Sequence, residues 1–333
     1  MLFHLILIIS GLLVSRLLFF RFPRLEPTEE APAPRRLSVI IPARDEARTL
    51  PLLLDDLARQ DVPTHEIIGV DDHSSDGTAA VIRSAGAVYR AAGKRPPGWI
   101  GKSWACQTGA DAASGDVLLF LDADVRLSPG AVGSLMREKE RRQWTISIQP
   151  YHQTVKGYEQ LSLFFNLIQL AANAISPVFR FRHTGLSGPV IAIDRAVYQA
   201  IGGHRAVRSS IVDDLALGRR LWAAGYPFRV QMGGSLIHYR MYSGGPLDLW
   251  QGWTKNMATG AGRTPAALLS LVFIWITACT AVPIALVQAF SSAGAGYPLA
   301  AMVLYGTGPW NWHGSREKPA GSKDWRSPSS LSA

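Results

Sequence analysis

Between residues 37 and 240, short apolar runs alternate with stretches whose apolar residues recur every three or four positions. Leu37 to Ile41 reads as a buried strand closed by Pro42, and Glu46 to Arg59 as a helix with Leu50, Leu53, Leu54 and Leu57 on one side. Glu66 to Val70 and Ala87 to Arg90 predict strands, Lys102 to Ser114 a helix, and Val117 to Leu121 the most apolar strand. Further on, Leu215 to Ala224 predicts a helix and Ser235 to Tyr239 a strand. A period near 3.6 marks helices, and short apolar runs between turn residues mark strands. Alternation of the two predicts an α/β domain, a sheet with helices packed on its faces.

Three stretches break this rhythm. Met1 to Phe20 is almost wholly apolar, and its arginines (Arg21, Arg24, Arg35, Arg36) come after it. A cleaved signal peptide has the opposite charge order. Residues 1–22 are therefore expected to be a transmembrane signal anchor of about 20 residues. Residues 23–36 would be a basic linker, and the positive-inside rule puts the remaining domain in the cytoplasm. Residues 266–290 carry no charge and predict a second transmembrane helix, making a multi-pass protein of the cell membrane. Tyr158 to Phe179 is different: Leu161, Phe164, Ile168, Ala171, Ile175 and Val178 share one face, with Glu159, Ser162, Asn166, Gln169, Asn173 and Ser176 opposite. Such a helix packs on a core or lies in the membrane interface. Tyr297 to Tyr305 is too short to span, and residues 306–333 are irregular and rich in Gly, Ser, Pro and Trp. That end is expected of a truncated or frame-shifted chain.

Composition narrows the class. Of 333 residues, only 18% are charged and 47% are hydrophobic, which excludes a disordered chain. Two cysteines, Cys106 and Cys279, exclude a disulfide scaffold. The net charge of +9 permits nucleic-acid binding in principle. However, the basic residues cluster at Arg16 to Arg36 and Arg180 to Arg208, beside the apolar segments. Membrane lipids with anionic head groups fit that placement, and nucleic acid does not.

The chemistry sits at strand ends. The second strand runs into Asp71-Asp72-His73-Ser74-Ser75-Asp76-Gly77-Thr78, and Val117 to Leu121 ends at Asp122-Ala123-Asp124. Open α/β sheets bind ligands at the carboxyl ends of their strands. No Gly-x-Gly-x-x-Gly and no Walker-type loop comes after the first strand, which argues against a dehydrogenase or a P-loop enzyme. A site walled by carboxylates holds a diphosphate only with a cation between them, so Mg2+ or Mn2+ is expected. Residues two apart on a strand share a face, which lets Asp122 and Asp124 converge on one ion.

The residues Ser38 to Glu46, Val70 to Thr78, Leu121 to Asp124 and Val212 to Asp214 resemble, in this order, the successive motifs of family 2 glycosyltransferases of the GT-A fold. Gly101 to Cys106 and Gly252 to Asn256 resemble the membrane-bound members that glycosylate terpenoid lipids, carotenoid acids and hopanoids. The resemblance implies a UDP-sugar donor and a lipid acceptor. It divides the domain into a nucleotide-sugar half, 37–150, and an acceptor half, 151–262, with the interfacial helix at 158–179. By the same resemblance Pro42, Asp45 and Glu46 border the nucleoside, Asp72 accepts from the uracil, and Asp71 supports that loop. Lys102 lies near the diphosphate, Asp122 approaches the ribose or the sugar, and Asp124 binds the metal. His238 is a candidate for completing the metal site, although a lone His is more often structural. Gly185, Ser187 and Gly188 belong to the acceptor side, together with Trp253, Arg180 and Arg182. Asp214 is the implied catalytic base, and Asp213 stands where the family usually has Glu. Gln251 to Trp253 lacks the Arg of the Gln-x-x-Arg-Trp motif of processive relatives, which counts against polymer synthesis.

In an inverting transfer the acceptor oxygen attacks the anomeric carbon while UDP leaves from the opposite face. The leaving diphosphate must be neutralised and the acceptor's proton removed. A carotenoid carboxylic acid is already ionised at neutral pH, so for that acceptor Asp214 is expected to position and Arg180, Arg182 or Arg208 to offset charge. For a hydroxyl acceptor Asp214 is indispensable. Transfer of glucose to a carotenoid acid is the leading expectation. Polyprenyl phosphate, hopanoid or diacylglycerol acceptors are alternatives, and a non-catalytic membrane scaffold is an alternative of another class.

Overall fold

The computed structural model describes residues 2–30, 32–33, 35–173, 185–242, 244–261 and 264–291. Its strands are β1 (Leu37–Ala43), β2 (Glu66–Asp71), β3 (Val88–Ala91), β4 (Val117–Leu121), β5 (Val125–Leu127), β6 (Thr145–Gln149), β7 (Tyr151–His152), β8 (Val190–Asp194), β9 (Phe228–Met232) and β10 (Ile237–Tyr239). Its helices are α1 (Leu2–Leu18), α2 (Leu50–Ala58), α3 (Thr78–Ser84), α4 (Gly101–Ala112), α5 (Ala131–Arg142), α6 (Leu161–Ala172), α7 (Arg195–Ala200), α8 (Asp213–Ala223), α9 (Pro246–Ala261) and α10 (Ala266–Ser291).

Seven strands form one sheet in the order β3-β2-β1-β4-β8-β6-β9. The first four are parallel, β8 is antiparallel to β4 and β6, and β9 is parallel to β6. The sheet is therefore mixed, as expected. Alternating side chains divide between two cores. Val39, Ile41, Leu119 and Leu121 join Leu50, Leu53 and Leu57 of α2 and Leu135 of α5 on one face. Ile40, Ile68, Leu118 and Phe120 join Ala105 and Ala110 of α4 and Leu217 and Leu221 of α8 on the other. Full burial of each such side chain contributes about 1.5–3 kcal/mol before entropy is counted. A period of two thus makes a three-layer sandwich.

Two boundaries differ from the sequence reading. Pro42 lies inside β1, paired with Val70, where the pairing of β1 with β4 has already ended at Ile40 and Phe120. Its missing N–H is tolerated at that position. Helix α2 starts at Leu50 and not at Glu46, because the backbone N–H of Glu46 donates to Thr78 Oγ1 at 2.8 Å and joins a loop.

A third core joins α1, α6 and α10 to the edge of the sheet, with Leu18, Leu167, Leu170, Val272 and Trp275 packed on Val230 and Met232. Trp275 takes Phe19 edge-on and Phe164 in a stack. Both segments expected to span a membrane are thus helical over Leu2–Leu18 and Ala266–Ser291. Among the described residues no helix is long and apolar enough to cross a membrane. Ile6, Ile9 and Leu13 of α1 and Phe273 and Ile284 of α10 remain exposed. The irregular end, 306–333, lies outside the described residues.

Helix α6 and the turn before it bury polar positions as well as the apolar stripe, whose Phe164, Ile168 and Ala171 pack in the third core. Glu159, Ser162 and Asn166, expected on an outward polar face, are buried, while Leu161 is 61% exposed. Two of the buried polar positions have a reason in the fold: Arg240 Nη2 meets Glu159 Oε1 at 2.6 Å, and Trp253 Nε1 donates to Ser162 Oγ at 3.0 Å.

Candidate active site

The parallel strands deliver their acidic ends to one edge. After β1, Asp45 adopts a left-handed backbone (φ 56°) and its Oδ1 accepts from the Ser75 N–H at 2.8 Å. After β2, Asp71 Oδ1 accepts from the Ser74 N–H at 2.9 Å, and the Asp72 N–H donates to the carbonyl of Ala43 at 2.9 Å. The two loops therefore hold each other. Gly101, which opens α4, comes so close to Asp72 that a Cβ there would stand 2.3 Å from Asp72 Oδ2. A cavity of about 530 Å³ opens beside Asp72, lined by Arg44, His73, Lys94 and Arg95. Cationic walls around one carboxylate suit a nucleotide, with phosphate met by the cations and a base N–H by Asp72.

After β4, the N–H of Asp122 donates to Pro189 O at 2.9 Å, and Lys102 Nζ lies 2.6 Å from Asp122 Oδ1. Partial burial lowers the tendency of Lys102 to hold its proton, but the charges of Asp122 and Asp213 outweigh this and raise its pKa. Asp124 is pushed up to about 7 by burial and by the charges of Asp122 and Glu46. Glu46 is itself raised, first by burial, against a hydrogen bond from Thr49, with Asp122 among the repelling carboxylates. One lysine thus faces three crowded carboxylates. Among the described residues no three His, Cys, Asp or Glu side chains form a closed metal cluster. Two carboxylates on one loop, Asp122 and Asp124, are a donor set that suits Mg2+ or Mn2+, which take their other oxygens from phosphate and water. Asp124 and Asp122 are the residues that would hold such an ion.

Pro189 connects this centre to the acceptor side. The Gly188 N–H donates to Asp214 Oδ2 at 2.9 Å, and the Leu215 N–H to Asp214 Oδ1 at 2.8 Å. Asp214 lies in the first turn of α8, where free N–H groups favour negative charge, yet burial and the neighbouring Asp213 push its carboxyl up to about 6. Gly185 packs on the turn below it: a Cβ there would meet Leu215 Cα at 2.3 Å. Ser187 Oγ donates to Gln149 Oε1, and Gln149 Nε2 to the Tyr239 hydroxyl, both at 2.9 Å. A cavity of about 320 Å³ begins at Lys102, Asp213 and Asp214 and ends among Ile168, Met241, Leu269 and Val272, against α6 and α10.

The structure thus brings together Pro42, Asp45, Glu46, Asp71, Asp72, Lys102, Asp122, Asp124, Gly185, Ser187, Gly188, Asp213 and Asp214 along one edge of the sheet. His238 is not among them. Neighbours on a strand point oppositely, and in β10 it is Tyr239 whose hydroxyl is raised by burial and by the charge of Asp124. His238 faces Arg126 and Asp56 instead, and burial lowers it to about 4. Trp253 is buried between Phe165, stacked at 5.5 Å, and Tyr242, and it does not line the acceptor cavity. Arg180 and Arg182 lie outside the described residues. Sequence reasoning misses Gln149, Tyr239 and Met241. The strand period is the signal for Tyr239, one step along the strand from His238.

Comparison with known proteins supports the same assignment. Residues 38–202 match the sequence profile of glycosyl transferase family 2. The 4,4'-diaponeurosporenoate glycosyltransferase of Staphylococcus haemolyticus is 36% identical over 257 residues, 75% of this chain and 68% of that protein. Its namesake in Staphylococcus aureus strain MRSA252 is 34% identical over 252 residues, 73% of this chain and 66% of that protein. In structure, a mannosyltransferase of Pyrobaculum calidifontis, solved with GDP-Man and Mn2+, superposes with a TM-score of 0.52 at 17% identity, covering 91% of this chain and 88% of that one. The strand-end carboxylates, the mixed sheet and these relatives agree: the chain belongs to glycosyltransferase family 2.

Proposed function

We propose that this glycosyltransferase moves a sugar, glucose first among the options, from a UDP-sugar to a terpenoid lipid acceptor at the cytoplasmic face of a membrane, and that the acceptor is a carotenoid carboxylic acid. The observation that carries the reading is the cavity that joins Asp214 to the apolar side chains Ile168, Leu269 and Val272. A soluble sugar acceptor has no use for such an end, and an isoprenoid chain does. The names of the Staphylococcus relatives support the acid. The apolar outer faces of α1 and α10 support membrane residence, with the chain entering the cavity sideways from the lipid.

The donor half, 37–150, would bind UDP through Asp72 and its cationic neighbours. A divalent ion on Asp124 and Asp122, when bound, supplies the charge that the leaving diphosphate needs. Lys102 adds a point charge beside it. Where the acceptor's reacting oxygen carries a proton, Asp214 holds that oxygen and receives the proton; beside an ionised acid Asp214 serves only to position it. Backbone N–H groups of Gly188 and Leu215 fix the Asp214 carboxylate for this task.

A second reading of the acceptor has its own support. Among the described residues Lys102 is the one basic side chain that lines the cavity, against two carboxylates, Asp213 and Asp214. That charge favours a neutral hydroxyl, as in a hopanoid, over a carboxylate, and disfavours a polyprenyl phosphate more strongly. A panel of radiolabelled UDP-sugars tested with 4,4'-diaponeurosporenoate, a hopanoid polyol and polyprenyl phosphate, with and without Mn2+, decides. A labelled lipid with the carotenoid acid alone supports the first reading, and one with the polyol alone replaces it.

A further inference from the structure

Three side chains from separate parts of the sheet form a directed hydrogen-bond chain at the head of the acceptor cavity. Ser187 stands just before β8, Gln149 ends β6 and Tyr239 ends β10, and none is more than 5% exposed. Ser147 Oγ fixes the first: it accepts the Ser187 N–H at 2.7 Å and donates to the Ser187 carbonyl at 2.8 Å. Ser187 Oγ then donates to Gln149 Oε1, which turns the amide so that Nε2 donates to the Tyr239 hydroxyl, both at 2.9 Å. Among the described residues this is the one hydrogen bond of the Tyr239 side chain, and in it the oxygen accepts. The hydroxyl hydrogen itself is unspent. Buried donors are paired in folded proteins, and Ser187, Gln149 and Tyr239 all line the cavity that starts at Asp213 and Asp214. We propose that the Tyr239 hydroxyl donates to one hydroxyl of the transferred sugar and so selects the hexose, with Gln149 and Ser187 as its positioning residues.

Position identifies the ligand. Tyr239 pairs with Val125, the residue directly after Asp124, and after burial the charge of Asp124 is what acts most on its hydroxyl. Lys102 joins the two centres, since it holds Asp122 at 2.6 Å and also lines the cavity beside Asp214. With the diphosphate at Asp122 and Asp124 and the acceptor oxygen at Asp214, the group between them is the transferred sugar. Its hydroxyl oxygens accept hydrogen bonds. The direction of the chain also follows from charge. A reversed amide would take the Tyr239 hydrogen on Gln149 Oε1 and leave the spare hydrogen on Ser187. A carboxylate near Tyr239 favours a free O–H there over a hydroxyl that offers only lone pairs. A site built to bond a substrate hydroxyl rejects analogues that lack it, because the buried donor is then left unpaired.

This inference rests on the reading of the protein as a UDP-sugar-dependent transferase, so the wild-type chain is assayed first. Full chains in detergent micelles receive UDP-glucose or its 2-deoxy, 3-deoxy, 4-deoxy and 6-deoxy analogues, with whichever of 4,4'-diaponeurosporenoate and the hopanoid polyol is glycosylated. Wild type should lose about tenfold or more in kcat/KM on one of these analogues. Y239F should lose about 5- to 15-fold with UDP-glucose itself, the scale of one neutral hydrogen bond. On that same analogue Y239F should lose nothing further, while its ratios for the others stay as in wild type. The inhibition constant of UDP, which carries no sugar, and the KM for the acceptor should not change. Y239F also strips the Gln149 amide of its acceptor, so Y239F/Q149M, apolar at both positions, is measured beside it and should give the same analogue profile. Q149M alone leaves the hydroxyl free to turn and should lose about threefold. A wild-type analogue profile in Y239F and in the double variant overturns the proposal. So does a raised acceptor KM with unchanged kcat/KM for UDP-glucose, which assigns the hydroxyl to the acceptor. If wild type transfers no sugar from UDP-glucose to either acceptor, the donor reading fails and the proposal with it; transfer with an unchanged profile sinks the proposal alone.

Discussion

Lys102 clamps Asp122 with both carboxylate oxygens in reach of its ammonium group, Oδ1 at 2.6 Å and Oδ2 at 2.8 Å. Lys102 lies in the first turn of α4, while Asp122 comes directly after β4, so the pair ties the helix to the Asp122–Asp124 loop. It also places the one basic side chain that lines the cavity at Asp213 and Asp214, among the described residues, beside Asp122. The lysine side chain is 42% exposed, and solvent screening limits what the pair adds to stability. Its value is local charge. K102M should raise the KM for the UDP-sugar about tenfold, the scale of one charged hydrogen bond, and shift thermal unfolding little. Steady-state kinetics beside a melting curve test both parts.

Two carboxyls with raised pKa values give the enzyme an acid limit. Asp214, near 6, and Asp124, near 7, hold their protons to higher pH than ordinary carboxyls because burial and like charges disfavour ionisation. Activity with a hydroxyl acceptor should therefore rise with pH through about 6. Mn2+ affinity should weaken about tenfold for each unit below 7, because the ion displaces one proton. The stability sign is opposite. Between the unfolded value near 4 and these native values the folded state binds more protons, so its stability falls as pH rises. His204 and His238, lowered to about 4 by burial, carry the opposite slope over part of the same range, so the test is a difference: in metal-free protein D124N should raise the melting temperature more at pH 8 than at pH 5. An equal effect of D124N on melting at both pH values contradicts the crowded-carboxylate picture.

The strand-end carboxylates are legible in the sequence because a sheet turns period into position: a run such as Val117 to Leu121 must end somewhere, and the residues after it lie at the edge. Local pattern fails where partners are far apart in the chain. Ser103 on α4 donates to Asp213 on α8, 110 residues away in the chain, and no spacing rule joins them. It fails again on α6 and the turn before it, where Leu161 looks buried by period and is exposed, while Glu159 and Ser162 are buried against Arg240 and Trp253. His238 shows a third kind of failure. The residue type suggests a ligand, but parity along β10 assigns the site to Tyr239.

Gly101 is where the donor pocket has no room. A methyl group at that position would overlap Asp72 Oδ2, and an aspartate side chain can rotate away without unfolding the protein. G101A should therefore raise the UDP-sugar KM at least about tenfold, by displacing one charge-assisted hydrogen bond, while kcat at saturation and the melting temperature change little. G185A should behave differently, because its obstacle is the Leu215 backbone. Overpacking against a backbone costs about 1–3 kcal/mol, and both stability and kcat should drop.

The Glu159–Arg240 pair ties the turn before α6 to the residue after β10. Glu159 is fully buried, and its Oε2 also accepts the Val155 and Lys156 N–H groups at 2.6 and 3.2 Å. Removing one charge leaves the other desolvated beside a neutral partner. E159Q should cost about 3 kcal/mol, roughly 6–12 °C in melting temperature for a domain of this size. A shift under about 2 °C, the size expected of less than 1 kcal/mol, shows that α6 is held by its apolar contacts instead.

The far end of the acceptor cavity offers the sharpest separation of donor from acceptor. Ile168 on α6 and Val272 on α10 line that end, away from Asp72, Asp122 and Asp124. A larger side chain there shortens the space for a hydrocarbon tail and touches nothing that binds UDP. I168W should raise the KM for a long isoprenoid acceptor about tenfold or more, since each excluded CH2 forfeits about 0.8 kcal/mol of burial. A truncated acceptor with the same head group should be spared, as should the KM for UDP-glucose. Measuring both acceptors on one enzyme controls for folding, because a misfolded variant loses the two together. If I168W instead weakens both acceptors equally, the tail does not run between α6 and α10, and the route of the lipid must lie elsewhere on the domain.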